Sequence, residues 1–150
     1  MDYQLRKAVK ADEARINELF CEMLRTVYHK EDVQGYREGE LDRYFTDGED
    51  WICVAEEEGE IVGFLSIEVH REDFNYLYYD DFCVTEAHRN KGIGSAMMRK
   101  AERYAKSLGI DMVTLHVEDN NAAARRLYNR KKFERFRQDL SRIFMIKYLD

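Results

Sequence analysis

Apolar residues recur at intervals of three and four along two segments of the chain, which is the spacing of an amphipathic helix. The first segment follows Asp12 and contains Ile16, Leu19, Phe20, Met23, Leu24, Val27 and Tyr28. The second segment precedes Gly109 and contains Ile93, Met97, Met98, Ala101, Tyr104, Ala105 and Leu108. We therefore predict two helices, with Asp12 as the N-cap of the first and Gly109 just beyond the end of the second.

Shorter runs rich in β-branched and aromatic residues predict strands between and around these helices. They cover residues 3–9, 51–55, 61–70, 76–84, 112–117, 133–137 and 143–149. The acidic run 56–60 indicates a hairpin, a short helical piece is expected near 41–45, and a further helix over 121–131. This order predicts an α/β protein, with a mixed sheet and helices on both faces, that forms one domain over residues 1–150.

Composition narrows the class of protein and its compartment. Hydrophobic residues make up 45% and charged residues 36% of the 150 positions, as in a globular protein. No apolar run approaches ~18 residues, so we expect no membrane partner, and the charged N-terminal segment has no signal-peptide core. Cys21, Cys53 and Cys83 form no Cys-x-x-Cys pair, which predicts reduced thiols, a cytoplasmic protein and no metal site.

Charge is distributed unevenly along the chain. The formal net charge of −6 argues against a nucleic-acid partner. Residues 31–60 carry twelve acidic against two basic side chains, whereas residues 125–147 carry nine basic against two acidic ones. One hypothesis is that the basic part holds an anionic ligand and the acidic part a cationic one. The alternative is two differently charged solvent-exposed surfaces.

The stretch His-Arg-Asn-Lys-Gly-Ile-Gly-Ser-Ala-Met-Met, residues 88–98, places Gly92 and Gly94 between a predicted strand and a predicted helix. Glycines at such a junction let backbone N–H groups approach a phosphate, and the helix N-terminus adds partial positive charge. A Walker loop is absent, and the dinucleotide fingerprint lacks its third glycine because Met97 stands there. From these residues alone, a phosphate site and a tight turn remain two open interpretations.

The pattern Arg-x-x-Gly-x-Gly at residues 89–94 resembles the pyrophosphate-binding loop of the GNAT superfamily of acyl-CoA-dependent N-acyltransferases. A second segment of that family follows in the expected order. The run from Asn121 to Tyr128, with the later Phe133, is similar to its N-x-x-A-x-L/x-x-Y…G-F element. The residues Asp80-Asp81-Phe82-Cys83-Val84 are similar to its central strand, and the resemblance covers nearly the whole chain.

This resemblance implies a GNAT-like fold, with a mostly antiparallel sheet and one parallel strand pair where coenzyme A binds. It also implies acetyl-CoA as the co-substrate, without a metal. The residues that match positions near this cofactor are Phe82, Cys83, Val84, Arg89, Asn90, Lys91, Gly92, Ile93, Gly94, Ser95, Asn121, Ala124 and Tyr128. The loop would bind the diphosphate through its backbone, Phe82 and Val84 would pair with the pantetheine arm, and Asn121 is equally suited to capping a helix.

Three positions depart from the family pattern. Glu86 replaces a frequent proline, Asn90 replaces a glycine after the arginine, and Lys132 replaces the glycine before the final phenylalanine. Asparagine tolerates a left-handed backbone better than other side chains do. If position 132 needs a positive φ, lysine costs about 1 kcal/mol there.

Acyl transfer from a thioester to an amine needs a proton donor for the leaving thiolate and a donor to the oxyanion. The resemblance implies Tyr128 as the acid, and a backbone N–H near Cys83 and Val84 as the oxyanion donor. The alternative for Tyr128 is a core tyrosine on an amphipathic helix. Each role is an expectation carried over from the family.

The base has two candidates. Asp80 and Asp81 are adjacent and point to opposite faces of a strand, and the alternation with Tyr78 and Phe82 favours Asp80. His116, within Leu-His-Val, resembles a strand position where the branch that acetylates protein N-termini has a histidine or glutamate base. An imidazole with an ordinary pKa near ~6.5 suits that task, although His116 also fits a hydrogen-bonded core histidine.

We therefore expect an N-acetyltransferase that uses direct attack in a ternary complex, because Cys83 as an acyl carrier would need an activated thiolate. The acceptor is a primary amine: a small cationic amine, a protein N-terminus or a lysine. The alternative from another class is a catalytically inactive acyl-CoA-binding sensor. Exposed edge strands near the C-terminus also make a homodimer an expectation.

Overall fold

A computed structural model describes residues 2–150 of the chain, which fold into seven strands and three α-helices. Short 3₁₀ turns lie at Lys10–Asp12, Asp42–Phe45 and Glu86–His88. The elements are β1 Tyr3–Lys7, α1 Glu13–Tyr28, β2 Trp51–Glu57, β3 Glu60–His70, β4 Tyr76–Val84, α2 Ile93–Ser107, β5 Met112–Glu118, α3 Ala122–Arg130, β6 Glu134–Asp139 and β7 Arg142–Tyr148.

The strands form one open sheet in the order β1-β2-β3-β4-β5-β7-β6. The pairs β1–β2, β2–β3, β5–β7 and β6–β7 are antiparallel, whereas β4 and β5 are parallel. The parallel register joins Leu77–Tyr79 to Val113–Leu115, although β4 continues to Val84 and β5 to Glu118. The mixed sheet and the single parallel pair are therefore confirmed. Strands β4 and β5 both continue beyond the residues through which they are paired.

The chain comprises two compact units, each with its own buried residues. One unit contains the chain up to Ile67 together with Asp81–Ala101, and the other contains Glu68–Asp80 and Glu102–Asp150. The core of the first unit includes Ala8, Ile16, Leu19, Leu41, Tyr44, Ile52, Val54, Ile61, Phe64 and Cys83. In the second unit the buried side chains include Leu77, Val113, Leu115, Tyr128, Phe133, Met145 and Ile146.

The predicted elements are present, with bounds that differ from the predicted ones by a few residues at most. Gly109 has φ +74° two residues past the end of α2, as expected for the glycine that follows this helix. Asp12 is the N-cap residue of α1, as predicted, but the expected hydrogen bond from the first turn to its side chain is absent among the described residues. Its carboxylate instead accepts from the Val9 backbone N–H at 2.8 Å and from the Arg6 guanidinium at 2.8 and 3.1 Å, which commits it to the preceding turn. Among the helices of residues 2–150, none is both long and apolar enough to span a membrane.

Candidate functional site

The loop between β4 and α2 combines two left-handed residues with the start of a helix. Asn90 has φ +64° and Gly92 has φ +82°, so the left-handed conformation expected of Asn90 is confirmed. The Ala96 N–H donates to the Gly92 carbonyl at 3.0 Å, which closes the first turn of α2. Backbone N–H groups in such turns and in a first helical turn lack intrahelical acceptors and attract anions. The loop is thus suited to holding a diphosphate.

The two glycines of this loop are required for different reasons. A Cβ on Gly92 would meet no atom within 4 Å, so its positive φ is what favours glycine. A Cβ on Gly94 would lie 2.8 Å from Cζ of Phe82, because the phenyl ring packs against the helix start. Gly94 therefore lets Phe82 pack closely, and Gly92 gives the loop its turn. Ile93, Met97 and Met98 are buried, as expected.

The Arg89 guanidinium is held by the chain itself. Its Nε donates to the Val84 carbonyl at 2.9 Å, and its Nη2 lies 3.7 Å from Oε2 of Glu22 on α1. Glu22 also accepts from Thr85 Oγ1 at 2.8 Å and from the Glu86 N–H at 3.1 Å. A carboxylate on α1 thus fixes the entry to the loop. Sequence reasoning missed Glu22, because no motif marks one acidic residue on the polar side of a helix.

Cys83 lies in the core of the first unit. Its side chain is buried, and its Sγ–H donates to Sδ of Met23 at 3.4 Å. Burial raises the pKa of the Cys83 thiol well above its usual value, and the charges of Asp81 and Glu22 add to this effect. A thiol that stays protonated is a poor nucleophile, so Cys83 is poorly suited to carrying an acyl group.

Asp80 and Asp81 occupy different environments, as their adjacency on a strand requires. Asp81 accepts a hydrogen bond from the Tyr36 hydroxyl at 2.5 Å. Tyr36 also stacks on Phe20 with 4.0 Å between ring centroids, and its N–H donates to Asn17 Oδ1 at 2.8 Å. Asp81 therefore anchors the loop that follows α1, whereas Asp80 is exposed.

At least five of the twelve acidic side chains of segment 31–60 lie 2.6–3.0 Å from a basic side chain of the same unit. The pairs are Lys10–Asp42, Arg43–Asp50, Arg6–Glu56, Arg15–Glu60 and His88–Glu57, the last of which is an ion pair only when His88 is protonated. Such surface pairs contribute little stability each, but they offset part of the local negative charge. Local salt bridges thus account for part of this charge run.

A hydrogen-bonded chain of three side chains crosses the second unit. The Tyr78 hydroxyl lies 2.7 Å from Nδ1 of His116, and Nε2 of His116 lies 2.9 Å from Oδ2 of Asp139. Burial, with a smaller effect from the charge of Asp80, raises the pKa of Tyr78 to about 12. Tyr78 is therefore protonated at neutral pH. Because the Asp139 carboxylate can only accept, Nε2 carries the proton that it donates to Asp139, and in the neutral imidazole Nδ1 then accepts from the Tyr78 hydroxyl.

Aromatic rings and further titratable groups surround this chain. The ring of His116 lies 4.9 Å from that of Phe144, and His70 contacts Tyr78 edge-on at 6.2 Å. His70 Nε2 is also 2.9 Å from Oε1 of Glu68. Of the two predicted base candidates, His116 is embedded in a network, while Asp80 contributes to the electrostatics of Tyr78.

The matched residues on α3 have identifiable local roles. Asn121 Oδ1 accepts from the Ala124 N–H at 3.2 Å, so Asn121 caps α3. Tyr128 is buried and meets Phe133 edge-on, with 5.7 Å between the ring centroids. Lys132 has φ +75°, so the lysine that replaces the family's glycine does occupy a position with a positive φ.

Sequence reasoning did not identify Tyr78 or Asp139 as functional residues. Tyr78 and Asp80 are two residues apart on the same strand, so their side chains point to the same face. The alternation that made Asp80 a candidate was therefore enough to make Tyr78 a candidate as well. Asp139 is the last residue of the exposed edge strand β6 and belongs to no motif. Its contact with His116 depends on the pairing of β5, β7 and β6, which periodicity does not predict.

Comparison with known proteins places the chain in a family. The family model described as acetyltransferase (GNAT) family matches residues 14–133. An uncharacterised N-acetyltransferase of Bacillus subtilis (strain 168), YhfO, is 32% identical over 134 residues, which is 87% of this chain and 89% of that protein.

Solved structures share the fold over almost the whole chain. The PaiA N-acetyltransferase from Thermoplasma acidophilum, in complex with coenzyme A, has a TM-score of 0.82 at 18% identity and covers 99% of each chain. Arabidopsis thaliana NAA60, in complex with a bisubstrate analogue, has a TM-score of 0.77 at 18% identity and covers 99% of this chain and 98% of that chain. Both pairs have a common architecture despite low identity.

Proposed function

The chain belongs to the GNAT acetyltransferase family, and on this basis we propose that it transfers the acetyl group of acetyl-CoA to a primary amine. The observation that carries the proposal is the loop with left-handed Asn90 and Gly92 ahead of α2. Its backbone N–H groups suit a diphosphate such as that of coenzyme A. Lys91, within this loop, would offset part of the cofactor's negative charge.

The proposed chemistry is direct attack in a ternary complex. The neutral amine nitrogen forms a bond to the thioester carbonyl carbon, and the C–S bond then breaks. A backbone N–H near Cys83 and Val84 would donate to the oxyanion, and Tyr128 would give its proton to the leaving thiolate. The acceptor's ammonium proton goes to a base on the enzyme before the attack. The second proton, which the nitrogen loses as the amide forms, replaces the one that Tyr128 gave to the thiolate, so Tyr128 ends the cycle neutral.

His116, acting through Tyr78, is our preferred base. Both imidazole nitrogens of His116 already have partners, so a proton from the acceptor would reach Nδ1 through the Tyr78 oxygen. The phenol would take the acceptor's proton as its own moves to Nδ1, and Tyr78 ends the step neutral. Asp80 is the alternative base, since it is exposed and acts electrostatically on Tyr78.

The acceptor is proposed to be a peptide amine, with a small cationic amine as the alternative. The Leu-His-Val match at residues 115–117 supports the first. The pairing of part of the acidic segment weakens the argument for a cationic pocket there. A cytoplasmic location, from three free cysteines, and a homodimer through the edge strand β6 are parts of the same proposal.

The test is release of free thiol from acetyl-CoA in the presence of a panel of acceptors. The panel contains peptides with free N-termini, the same peptides with blocked N-termini and a single lysine, and polyamines. We expect turnover that requires the free peptide amine. Coenzyme A binding, measured by calorimetry, without turnover for any acceptor would replace this proposal with the sensor function.

A further inference from the structure

Asp139 is held at both carboxylate oxygens by neighbouring side chains. Oδ2 lies 2.9 Å from Nε2 of His116, and Nε of Arg137 lies 2.9 Å from Oδ1 and 3.0 Å from Oδ2. The hydrogen bond from His116, followed by that from Arg137, lowers the pKa of Asp139 below its usual value. The group is thus a carboxylate at neutral pH.

We propose that Asp139 is a positioning residue for catalysis, which fixes the tautomer of His116 and stabilises the imidazolium that forms during acetyl transfer. This inference rests on the proposed function. Asp139 acts through His116, and it is assigned no contact with the acceptor or the cofactor.

The two hydrogen bonds of the His116 imidazole select one of its tautomers. A carboxylate accepts from Nε2–H and so favours the tautomer with an unprotonated Nδ1, which is the atom that Tyr78 faces. Without Asp139, the tautomer with a proton on Nδ1 becomes accessible, and that nitrogen has no lone pair for a proton. The base would then be present but unable to accept a proton.

Transfer of the Tyr78 proton places a positive charge on His116. As Nδ1 gains the Tyr78 proton, a positive charge forms on a ring that is 14% exposed. A carboxylate on the far nitrogen stabilises that charge without taking the proton. The imidazolium then returns its proton to solvent after the acetylated product leaves.

The other charged groups near the chain act mainly on Tyr78. Asp80 on β4 and Glu68 on β3 raise the pKa of Tyr78, whereas Arg142 on β7 lowers it. Phe144 of β7 contacts the imidazole, and the guanidinium carbon of Arg137 is 4.4 Å from the centroid of the Phe144 ring. Asp139 is therefore the carboxylate with a direct hydrogen bond to His116.

The hairpin that carries Asp139 is fixed in a strained conformation. Leu140 has φ +57° and is 97% exposed, an unfavourable arrangement for a bulky residue. Gln138 Nε2 donates to the Leu140 carbonyl at 2.8 Å and to Asp119 Oδ2 at 2.9 Å. The hairpin tip is thereby attached to the end of β5, and strain of this kind persists where the surroundings define the conformation.

The matched test compares Asp139→Asn with Asp119→Asn. Both changes remove a carboxylate that binds the β6–β7 hairpin, but only Asp139 touches His116. For Asp139→Asn we expect kcat to fall roughly ten- to hundredfold with the KM for acetyl-CoA unchanged. Asp119→Asn should keep the kcat of the wild type.

Two further measurements separate this role from a structural one. In a His116→Ala background, Asp139→Asn should cause no additional loss of kcat, since the two residues act in series. The ¹⁵N chemical shifts of the His116 imidazole report the tautomer without turnover, and they should change in Asp139→Asn and be unchanged in Asp119→Asn.

The results that overturn the inference are equally specific. Equal losses in Asp139→Asn and Asp119→Asn, an unchanged His116 tautomer, or a full additional loss in the His116→Ala background each reject a positioning role. If the wild type turns over no amine, the proposed function fails, and the nitrogen shifts still decide whether Asp139 sets the tautomer.

Discussion

The loop before α2 and the Tyr78–His116–Asp139 chain are assembled in opposite ways. The loop is contiguous in sequence, and its suitability for a phosphate depends on backbone conformation at Asn90 and Gly92. The three-residue chain uses side chains from three strands that are far apart in sequence. A backbone site leaves a short motif, whereas a side-chain site leaves isolated residues. Function is therefore easiest to predict where the backbone binds the ligand.

The two regions should also fail differently when they are mutated. Damage to the loop changes how the cofactor diphosphate is held, so it should appear as weaker binding of coenzyme A. Damage to the side chains that move protons should lower kcat and leave cofactor affinity intact. The following experiments test this separation, beginning with the largest expected effect.

Tyr128→Phe should lower kcat by about a hundredfold, because a phenylalanine cannot protonate the leaving thiolate. The dissociation constant of coenzyme A should remain within about twofold of the wild type, since packing against Phe133 is kept. Tyr79→Phe is the matched control, because Tyr79 also contacts Phe133, with 6.3 Å between ring centroids. Steady-state kinetics on both variants decide the point, and equal kcat values for them would remove Tyr128 from the mechanism.

Gly92→Ala should weaken coenzyme A binding about tenfold, because a left-handed non-glycine residue costs about 1–2 kcal/mol and the loop relaxes away from the binding conformation. Titration calorimetry measures the effect. Gly59→Ala is the control, since Gly59 has φ +79° and equal space but lies between β2 and β3. Both variants should lose similar stability. Weaker coenzyme A binding in both would show that the loss comes from general destabilisation.

Glu22→Gln should weaken coenzyme A binding by about threefold, because a neutral amide holds Thr85, the Glu86 N–H and Arg89 less firmly. Glu18→Gln, one turn earlier on α1, removes an exposed carboxylate that pairs with Arg15. It should have no effect on affinity. If Glu22→Gln instead lowers kcat at unchanged affinity, the separation between the two regions is wrong.

Lys132→Gly should stabilise the protein by about 1 kcal/mol, because glycine adopts φ +75° without a steric penalty. For a chain of this size, that corresponds to a rise in Tm of about 2–4 °C. Lys131→Gly is the control, since Lys131 has φ −86° and gains nothing from glycine. Calorimetric melting that ranks the two variants in the reverse order would refute the strain argument.

Several parts of the structure could be predicted because they depend on local physics. The strand Tyr76–Val84, the start of α2 at Ile93 and the turn at Gly109 follow from periodicity and glycine conformation. Asp12 is the N-cap residue of α1, but its side chain does not cap the helix, because Arg6 on β1 and the Val9 N–H bind that carboxylate. Competition of this kind depends on which strand lies next to the helix start.

The same distinction between local and long-range interactions decides which residues of the candidate site could be predicted. The loop residues carry their own signal, whereas Glu22, Tyr78 and Asp139 acquire their roles only through contacts across the fold. The acidic segment illustrates the converse error. Its charge run suggested a ligand site, but part of that charge is paired with basic residues distant in sequence, such as Lys10 and Arg6.

The burial of Cys83 against Met23 has a practical consequence for measuring motion. A protonated thiol in a closed core reacts with an alkylating reagent only when the surrounding structure opens, so its labelling rate reports the free energy of that opening. Cys53 on β2 is also buried and its pKa is raised to about 12, whereas Cys21 is partly exposed. The chain thus contains two slow probes of core opening and a faster reference thiol, and labelling with and without coenzyme A would show how far the cofactor stabilises the first unit.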